Sequence, residues 1–157
     1  MNFKIKDILK MAAAPFVVFM VSYYLDQFTV VYRVIEWPNR VVHFLGGVSI
    51  SVPVYMVLKW AKANKFITTS SKWFDFILLI MSVVCIATFW EFHEYFHDKF
   101  FPGPFLAQPS VDDTMKDMIM GTLGSTVFVL GWHVSGFFKK AEKVVEVVKI
   151  KNKRKKS

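Results

Sequence analysis

Apolar residues occur along the chain in four long stretches that are separated by shorter polar segments. Crossing the hydrocarbon core of a bilayer takes about 20 helical residues, because each residue adds about 1.5 Å. Each stretch is close to this length, and the pattern therefore predicts four transmembrane helices. The predicted spans cover residues 11–31, 41–58, 74–90 and 118–138.

The first span has the basic flank of a signal peptide, since Lys4, Lys6 and Lys10 precede its apolar core. No small-residue cleavage site follows that core, and residues 23–26 are typical of an interfacial helix end. We therefore expect an uncleaved helix. The predicted fold is all-α, a polytopic membrane protein with four transmembrane helices in a bundle.

The composition agrees with a membrane location and excludes several other classes of protein. Of the 157 residues, 54% are apolar and 17% are aromatic. A soluble domain of this size rarely has enough interior for so many large apolar side chains, and disordered chains are more polar. The single cysteine, Cys85, lies in an apolar stretch, so the chain has no pair of cysteines for a disulfide.

Basic residues are distributed unevenly between the two ends of the predicted spans. Of the 20 Lys and Arg residues, 16 lie before the first span, between the second and third spans, or after the fourth span. The other four lie on the opposite side, at Arg33, Arg40, Lys99 and Lys116. By the positive-inside rule, we expect a multi-pass protein of the inner membrane with both termini in the cytoplasm.

Residues 1–138 are predicted to form a single transmembrane domain, followed by a basic cytoplasmic tail at residues 139–157. Valines lie among the lysines of this tail, which is expected to form an amphipathic helix against the anionic lipid head groups of the bilayer. The tail has no aromatic residue that could stack on a base. Nucleic-acid binding is therefore not expected.

Eight of the 12 acidic residues are predicted to lie at the outer ends of spans or in outer loops. Carboxylates at membrane depth are costly and normally face protein or a cavity. Asp113 and Asp117 are one helical turn apart on a face rich in glycine, His43 lies on a similar face of another span, and Glu91 and Glu94 share a third. We therefore expect these five residues to meet in the outer third of the membrane.

Four carboxyl groups and one imidazole cannot all be charged at one place without a counter-charge. One solution is a divalent metal ion, and this set of ligands suits Zn, Mg, Mn or Fe. A second is a hydrogen-bonded polar cluster with Arg33, Arg40 or Lys116 as partners. A third is a path for protons or ions. The sequence is compatible with all three.

Residues 93–97 match the H-E-x-x-H pattern of zinc hydrolases. In that pattern two histidines, here His93 and His97, bind zinc, and the glutamate acts as general base. Glu94 is therefore a candidate catalytic residue of a membrane-embedded, metal-dependent hydrolase that acts on a lipid head group or a peptide. However, both histidines lie on the flank of the helix face that carries Glu91 and Glu94.

Three blocks of sequence between residues 39 and 125 carry a family resemblance. They are Asn39-Arg40-Val41-Val42-His43-Phe44-Leu45-Gly46-Gly47, Trp90-Glu91-Phe92-His93-Glu94-Tyr95, and Asp113-Thr114-Met115-Lys116-Asp117-Met118 with Gly121 and Gly124. In these blocks the chain resembles the YjdF-type small inner-membrane proteins of bacteria, a family of unknown function that is distantly similar to VanZ-like proteins.

The resemblance implies a multi-pass membrane protein but no reaction, and it carries over the same five residues, His43, Glu91, Glu94, Asp113 and Asp117. Because the chain is shorter than typical members, a second copy or a partner membrane protein is expected to cover its surface.

The prediction is a membrane protein whose outward-facing cluster binds a divalent cation or a polar ligand. The hydrolase and a structural or partner-binding subunit are the alternatives.

Overall fold

The computed structural model describes residues 5–28, 31, 35, 37–69, 71–101 and 106–154, without the side chains of residues 5–8, 26, 27, 134 and 137–154. Within these ranges all regular secondary structure is helical. The prediction of an all-α fold is confirmed. The four helices are α1 (Ile5–Phe28), α2 (Trp37–Ala63), α3 (Lys72–Phe100) and α4 (Val111–Arg154).

The helices are longer than the apolar stretches that predicted them. The largest difference is in α3, which the hydropathy pattern ends at Trp90 and which continues to Phe100. Charged residues lower the hydropathy without breaking backbone hydrogen bonds. The helix ends at a cap where the Phe101 N–H donates to the His97 carbonyl at 2.8 Å. The first span was predicted to reach residue 31; α1 is described from Ile5 to Phe28, and residues 29–30 lie outside the described residues.

Two of the four helices, α2 and α3, are long and apolar enough to cross a bilayer. The apolar part of α1, Leu9–Leu25, is shorter. The backbone of α4 stays helical to Arg154, so residues 139–154 of the predicted basic tail continue the last helix. Its contact with lipid stays a prediction.

The connection between α2 and α3 brings the two helices together as neighbours. Lys65, just after α2, has a φ of 62°, which is the left-handed conformation common after a helix end. The Ser71 hydroxyl caps α3 by accepting the Phe74 N–H at 3.3 Å. Lys62 donates to Asp75 at 2.6 Å across the connection. The first half of α2 therefore lies beside the second half of α3.

The closest contact in the bundle is between α2 and α4. A Cβ at Gly47 would collide with the backbone carbonyl of Gly121, and a Cβ at Gly124 would collide with the backbone of α2. One turn after Gly47, the fully buried hydroxyls of Ser51 and Ser125 share a hydrogen bond of 3.1 Å. Small residues let membrane helices approach closely. The predicted small-residue faces are confirmed at these positions.

Apolar packing fixes the other end of the bundle. Leu79 and Val83 of α3 are buried against Val129 of α4, and side chains of α2 complete the cluster. This cluster and the glycine contact hold α2, α3 and α4 together, and they fix the relative positions of the polar residues at the opposite end.

Candidate metal centre

Three helices contribute polar side chains to one end of the bundle. His43 lies in the first half of α2, Glu91 in the second half of α3 and Asp117 near the start of α4. One ligand atom from each lies within 4.8 Å of the other two. Glu91 and Asp117 are buried, with 4% and 2% exposure. In the part of the chain that the structure describes, no other three His, Cys, Asp or Glu side chains converge in this way.

Only one of the two Asp117 carboxylate oxygens has a hydrogen-bond partner among the described residues. Oδ2 accepts a hydrogen bond from Asn39 Nδ2 at 3.0 Å and lies 3.5 Å from His43 Nε2. Oδ1 is buried and has no hydrogen-bond partner among the described residues. A buried polar atom without a partner costs about 1–3 kcal/mol, and more for a charged group. A cation or a proton at Oδ1 would remove this cost.

A hydrogen bond from the loop before α4 holds the side chain of Glu91. Gln108 Nε2 donates to Glu91 Oε2 at 3.3 Å. The position of Gln108 is fixed in turn by Asp98, whose two carboxylate oxygens accept the backbone N–H groups of Ala107 at 2.9 Å and Gln108 at 2.8 Å. This chain of contacts orients the Glu91 carboxylate through its neighbour, as residues around a metal ligand commonly do.

The other two predicted carboxylates, Glu94 and Asp113, lie near the group of three. Glu94 accepts a hydrogen bond from Trp90 Nε1 at 2.7 Å. It lies close enough to Glu91, Asp113 and Asp117 for the carboxyl groups to repel one another when charged. Four carboxyl groups therefore share one small region, and the region has a strong excess of potential negative charge.

The basic residues considered as partners take different positions. Arg40 interacts electrostatically with Asp117. Lys116 pairs with Asp112 one turn away on the exposed side of α4 and not with the cluster. Arg33 lies outside the described residues. One guanidinium therefore opposes the negative charge of four carboxyl groups among the described side chains.

The H-E-x-x-H histidines lie on the exposed face of α3. Their ring centroids are 6.3 Å apart. His93 packs on the Trp90 ring at 5.2 Å, and His97 Nδ1 is 3.6 Å from Asp98 Oδ1. Within the described ranges, neither histidine belongs to a group of three potential metal ligands. Potential metal ligands are therefore close together at His43, among the described residues, and not at His93 and His97.

Asn39 and Gln108 belong to the site but were not predicted as site residues. Asn39 is four residues before His43, so helical spacing alone puts the two on one face of α2. That spacing was the available signal. Gln108 lies in a loop, where sequence spacing gives no direction, and only the contacts with Asp98 bring it to Glu91.

Comparison with protein-family models matches residues 2–136 to a family described as "Predicted membrane protein (DUF2238)". The match confirms the resemblance to the YjdF-type family, and the more distant similarity to VanZ-like proteins stays a prediction. Comparisons with curated proteins and with solved structures give no match.

Proposed function

Because the chain belongs to this DUF2238 family of predicted membrane proteins, we propose that it is a multi-pass membrane protein that binds a divalent cation through His43, Glu91 and Asp117. The observation that carries the proposal is the convergence of one imidazole and two buried carboxylates within 4.8 Å. The three ligands come from three different helices, so a bound ion would also link α2, α3 and α4.

In this proposal all four helices span the membrane. Large apolar side chains of α3 are exposed along its length, including Ile77, Met81 and Phe89. Only 11% of the most apolar part of α3 is buried, whereas the core helix of a soluble protein would be mostly buried. This exposed apolar surface suits contact with lipid tails.

The site is proposed to face away from the cytoplasm. The first half of α2, the second half of α3 and the start of α4 lie at the same end of the bundle. In the sequence, 16 of the 20 basic residues flank the other ends of the predicted spans. The positive-inside rule then places the basic end, with the tail against anionic head groups, in the cytoplasm.

The spacing of the ligand atoms fits a small divalent ion. With metal–ligand distances of about 2.1 Å, two ligands of a tetrahedral ion are about 3.4 Å apart. His43 Nε2 and Asp117 Oδ2 are 3.5 Å apart, so this pair already has the spacing that such an ion requires. Glu91 needs only a small side-chain adjustment to complete the set, because its ligand atom lies within 4.8 Å of both others.

Charge also favours a cation at this place. A divalent ion would neutralise the two carboxylates of the site and reduce their repulsion with Glu94 and Asp113. An ion bound by both oxygens of the Asp117 carboxylate would also contact Oδ1, which has no hydrogen-bond partner among the described groups. Among the described residues, a polar cluster without an ion leaves this oxygen without a hydrogen-bond partner.

The ligand types narrow the choice of ion. Calcium takes six to eight oxygen ligands, and magnesium keeps several waters and is seldom bound by imidazole. One imidazole nitrogen with two carboxylates suits Mn²⁺, Fe²⁺ or Zn²⁺. We therefore propose a transition metal ion at this site.

The test is metal analysis of the full chain purified in detergent without chelator, after growth with Mn, Fe and Zn. The wild-type protein is expected to contain about one ion per chain. Glu91→Gln and Asp117→Asn keep the size of each side chain but remove its charge, and they are expected to lower the metal content about tenfold or more. The matched control is Asp112→Asn, an exposed acidic residue on α4 that pairs with Lys116 and is expected to leave the metal content unchanged.

The thermal stability of each variant is measured with and without a chelator. The proposal predicts that the chelator lowers the stability of the wild type and of Asp112→Asn and has no effect on Glu91→Gln and Asp117→Asn. Wild-type protein without metal, or the same metal content in all four proteins, would show that the cluster is a polar contact between helices and not a metal site.

A further inference from the structure

A cavity of about 610 Å³ lies between α1, α2 and α3, next to the metal centre. It shares one residue with the metal centre, His43, which lies in its wall. On one side it is closed by α1, where the Phe19 ring packs edge-on against Trp90 with centroids 5.8 Å apart. Its volume is in the range of small-molecule binding sites in proteins.

Glycine residues of α2 leave part of this space open. Gly46 and Gly47 both line the cavity, and a Cβ at Gly46 would meet no other atom within 4 Å. The opposite wall is one continuous face of α1, formed by Pro15, Val18, Phe19 and Ser22 at helical spacing.

The cavity has two histidines at one end, and the rest of its lining is apolar apart from Ser22 and Ser49. His43 and His93 lie at the end next to the metal centre, whereas Ile50 and Val83 lie at the far end. The ten helical steps from Val83 to His93 correspond to about 15 Å of helix. This length is about half of the 30 Å hydrocarbon core, which is the thickness of one leaflet.

The volume and the lining restrict what could occupy this space. Its volume of about 610 Å³ is that of a small-molecule site. Water gains little from apolar walls, because each buried water needs several polar partners. An extended hydrocarbon chain with a polar head matches both the length and the direction of the cavity.

From these features we infer that the cavity holds one acyl chain of a membrane phospholipid, with the lipid phosphate beside His43. The acyl chain lies along α3 and points to the middle of the membrane. The head group is attracted by the divalent cation, so its position rests on the proposed function. The binding of the chain depends on the cavity alone.

The inference is tested by native mass spectrometry of the full chain in detergent with added phosphatidylglycerol. The wild type is expected to retain one phospholipid. Gly46→Leu places a side chain in the cavity and is expected to lower the retained lipid about tenfold, because the leucine side chain takes up space that the acyl chain needs. The matched control is Gly131→Leu in α4, where a Cβ also meets nothing within 4 Å but lies outside the cavity.

A second variant keeps the test decisive if Gly46→Leu fails to fold. Ala87→Leu fills the cavity from α3 and is expected to lower lipid retention in the same way. Equal retention in Gly131→Leu and in the two filled variants would overturn the inference, as would a wild type that retains no lipid.

The head group is tested separately with diacylglycerol, which has the same chains but no phosphate. The wild type is expected to retain phosphatidylglycerol in preference to diacylglycerol, and Asp117→Asn is expected to lose this preference while still binding lipid. Retention of lipid without metal would contradict the proposed function and leave the acyl-chain site in place. Metal without lipid would contradict the acyl-chain site and leave the metal centre in place.

Discussion

Replacing Gly47 by alanine would place a Cβ against the backbone carbonyl of Gly121, whereas the same change at Gly46 places it in open space. A backbone carbonyl cannot rotate away as a side chain can, so α2 and α4 have to separate at this point. The buried hydroxyls of Ser51 and Ser125, which are 3.1 Å apart one turn further along, would then lose their hydrogen bond.

The size of the effect follows from three contributions. Overpacking a close contact costs about 1–3 kcal/mol. The lost hydrogen bond between the serines adds about 1 kcal/mol. Alanine is a better helix former than glycine by about 1 kcal/mol, which acts in the opposite direction. The expected net result is a loss of about 1–3 kcal/mol for Gly47→Ala and a gain of up to about 1 kcal/mol for Gly46→Ala.

The free energy of unfolding of both variants is measured by titration with sodium dodecyl sulfate in mixed micelles. The metal content is a second measurement, because His43 is one turn from Gly47 and is 3.5 Å from Asp117 across the same pair of helices. Gly47→Ala is expected to lose metal and Gly46→Ala is not. Two results would refute this account of the α2–α4 contact. One is a Gly47→Ala variant that is as stable as the wild type, and the other is a Gly46→Ala variant that is less stable than Gly47→Ala.

Three further predictions concern single contacts. Lys65→Gly is expected to raise the free energy of unfolding by up to about 1 kcal/mol, because Lys65 has a φ of 62° and glycine adopts this conformation without strain. Ser125→Ala is expected to lower it by about 1 kcal/mol through the lost hydrogen bond to Ser51. Both are measured by the same titration. Asp98→Ala is expected to speed hydrogen exchange at Ala107 and Gln108 and to weaken metal binding about tenfold, because Gln108 would no longer be held at Glu91.

Each of these predictions has its own control. Lys65→Ala removes the same side chain without giving the backbone more freedom, so an equal gain in Lys65→Ala would show that the left-handed φ is not the cause. If Ser51→Ala and Ser125→Ala have effects that simply add in the double variant, the two hydroxyls do not interact. Unchanged exchange in Asp98→Ala would show that this carboxylate does not hold the loop.

The existence of four helices could be predicted from the sequence, but their ends could not. Hydropathy follows the side chains, and it stops at Trp90 where the charged residues of α3 begin. The backbone continues for ten more residues because helix formation needs only successive hydrogen bonds and no apolar side chains. The small-residue faces were predictable for a different reason, since Gly47 and Ser51 are one turn apart and close approach in a membrane requires small residues.

For the site, helical spacing predicted which residues share a face but not how far apart the faces lie. His43, Glu91 and Asp117 were all predicted, yet only the depth and rotation of three helices decide that they converge while Glu94 bonds to Trp90 instead. The cavity beside them had no signal in the sequence, because an empty space depends on the gap between helices and Gly46 alone does not indicate it.

The most direct test of the central claim is an anomalous difference map of a crystal of the wild-type chain, measured at the absorption edge of the metal found by elemental analysis. The account predicts a single peak about 2.0–2.2 Å from His43 Nε2 and from one oxygen each of Glu91 and Asp117. A peak between His93 and His97, or no peak at the three predicted ligands, would contradict it.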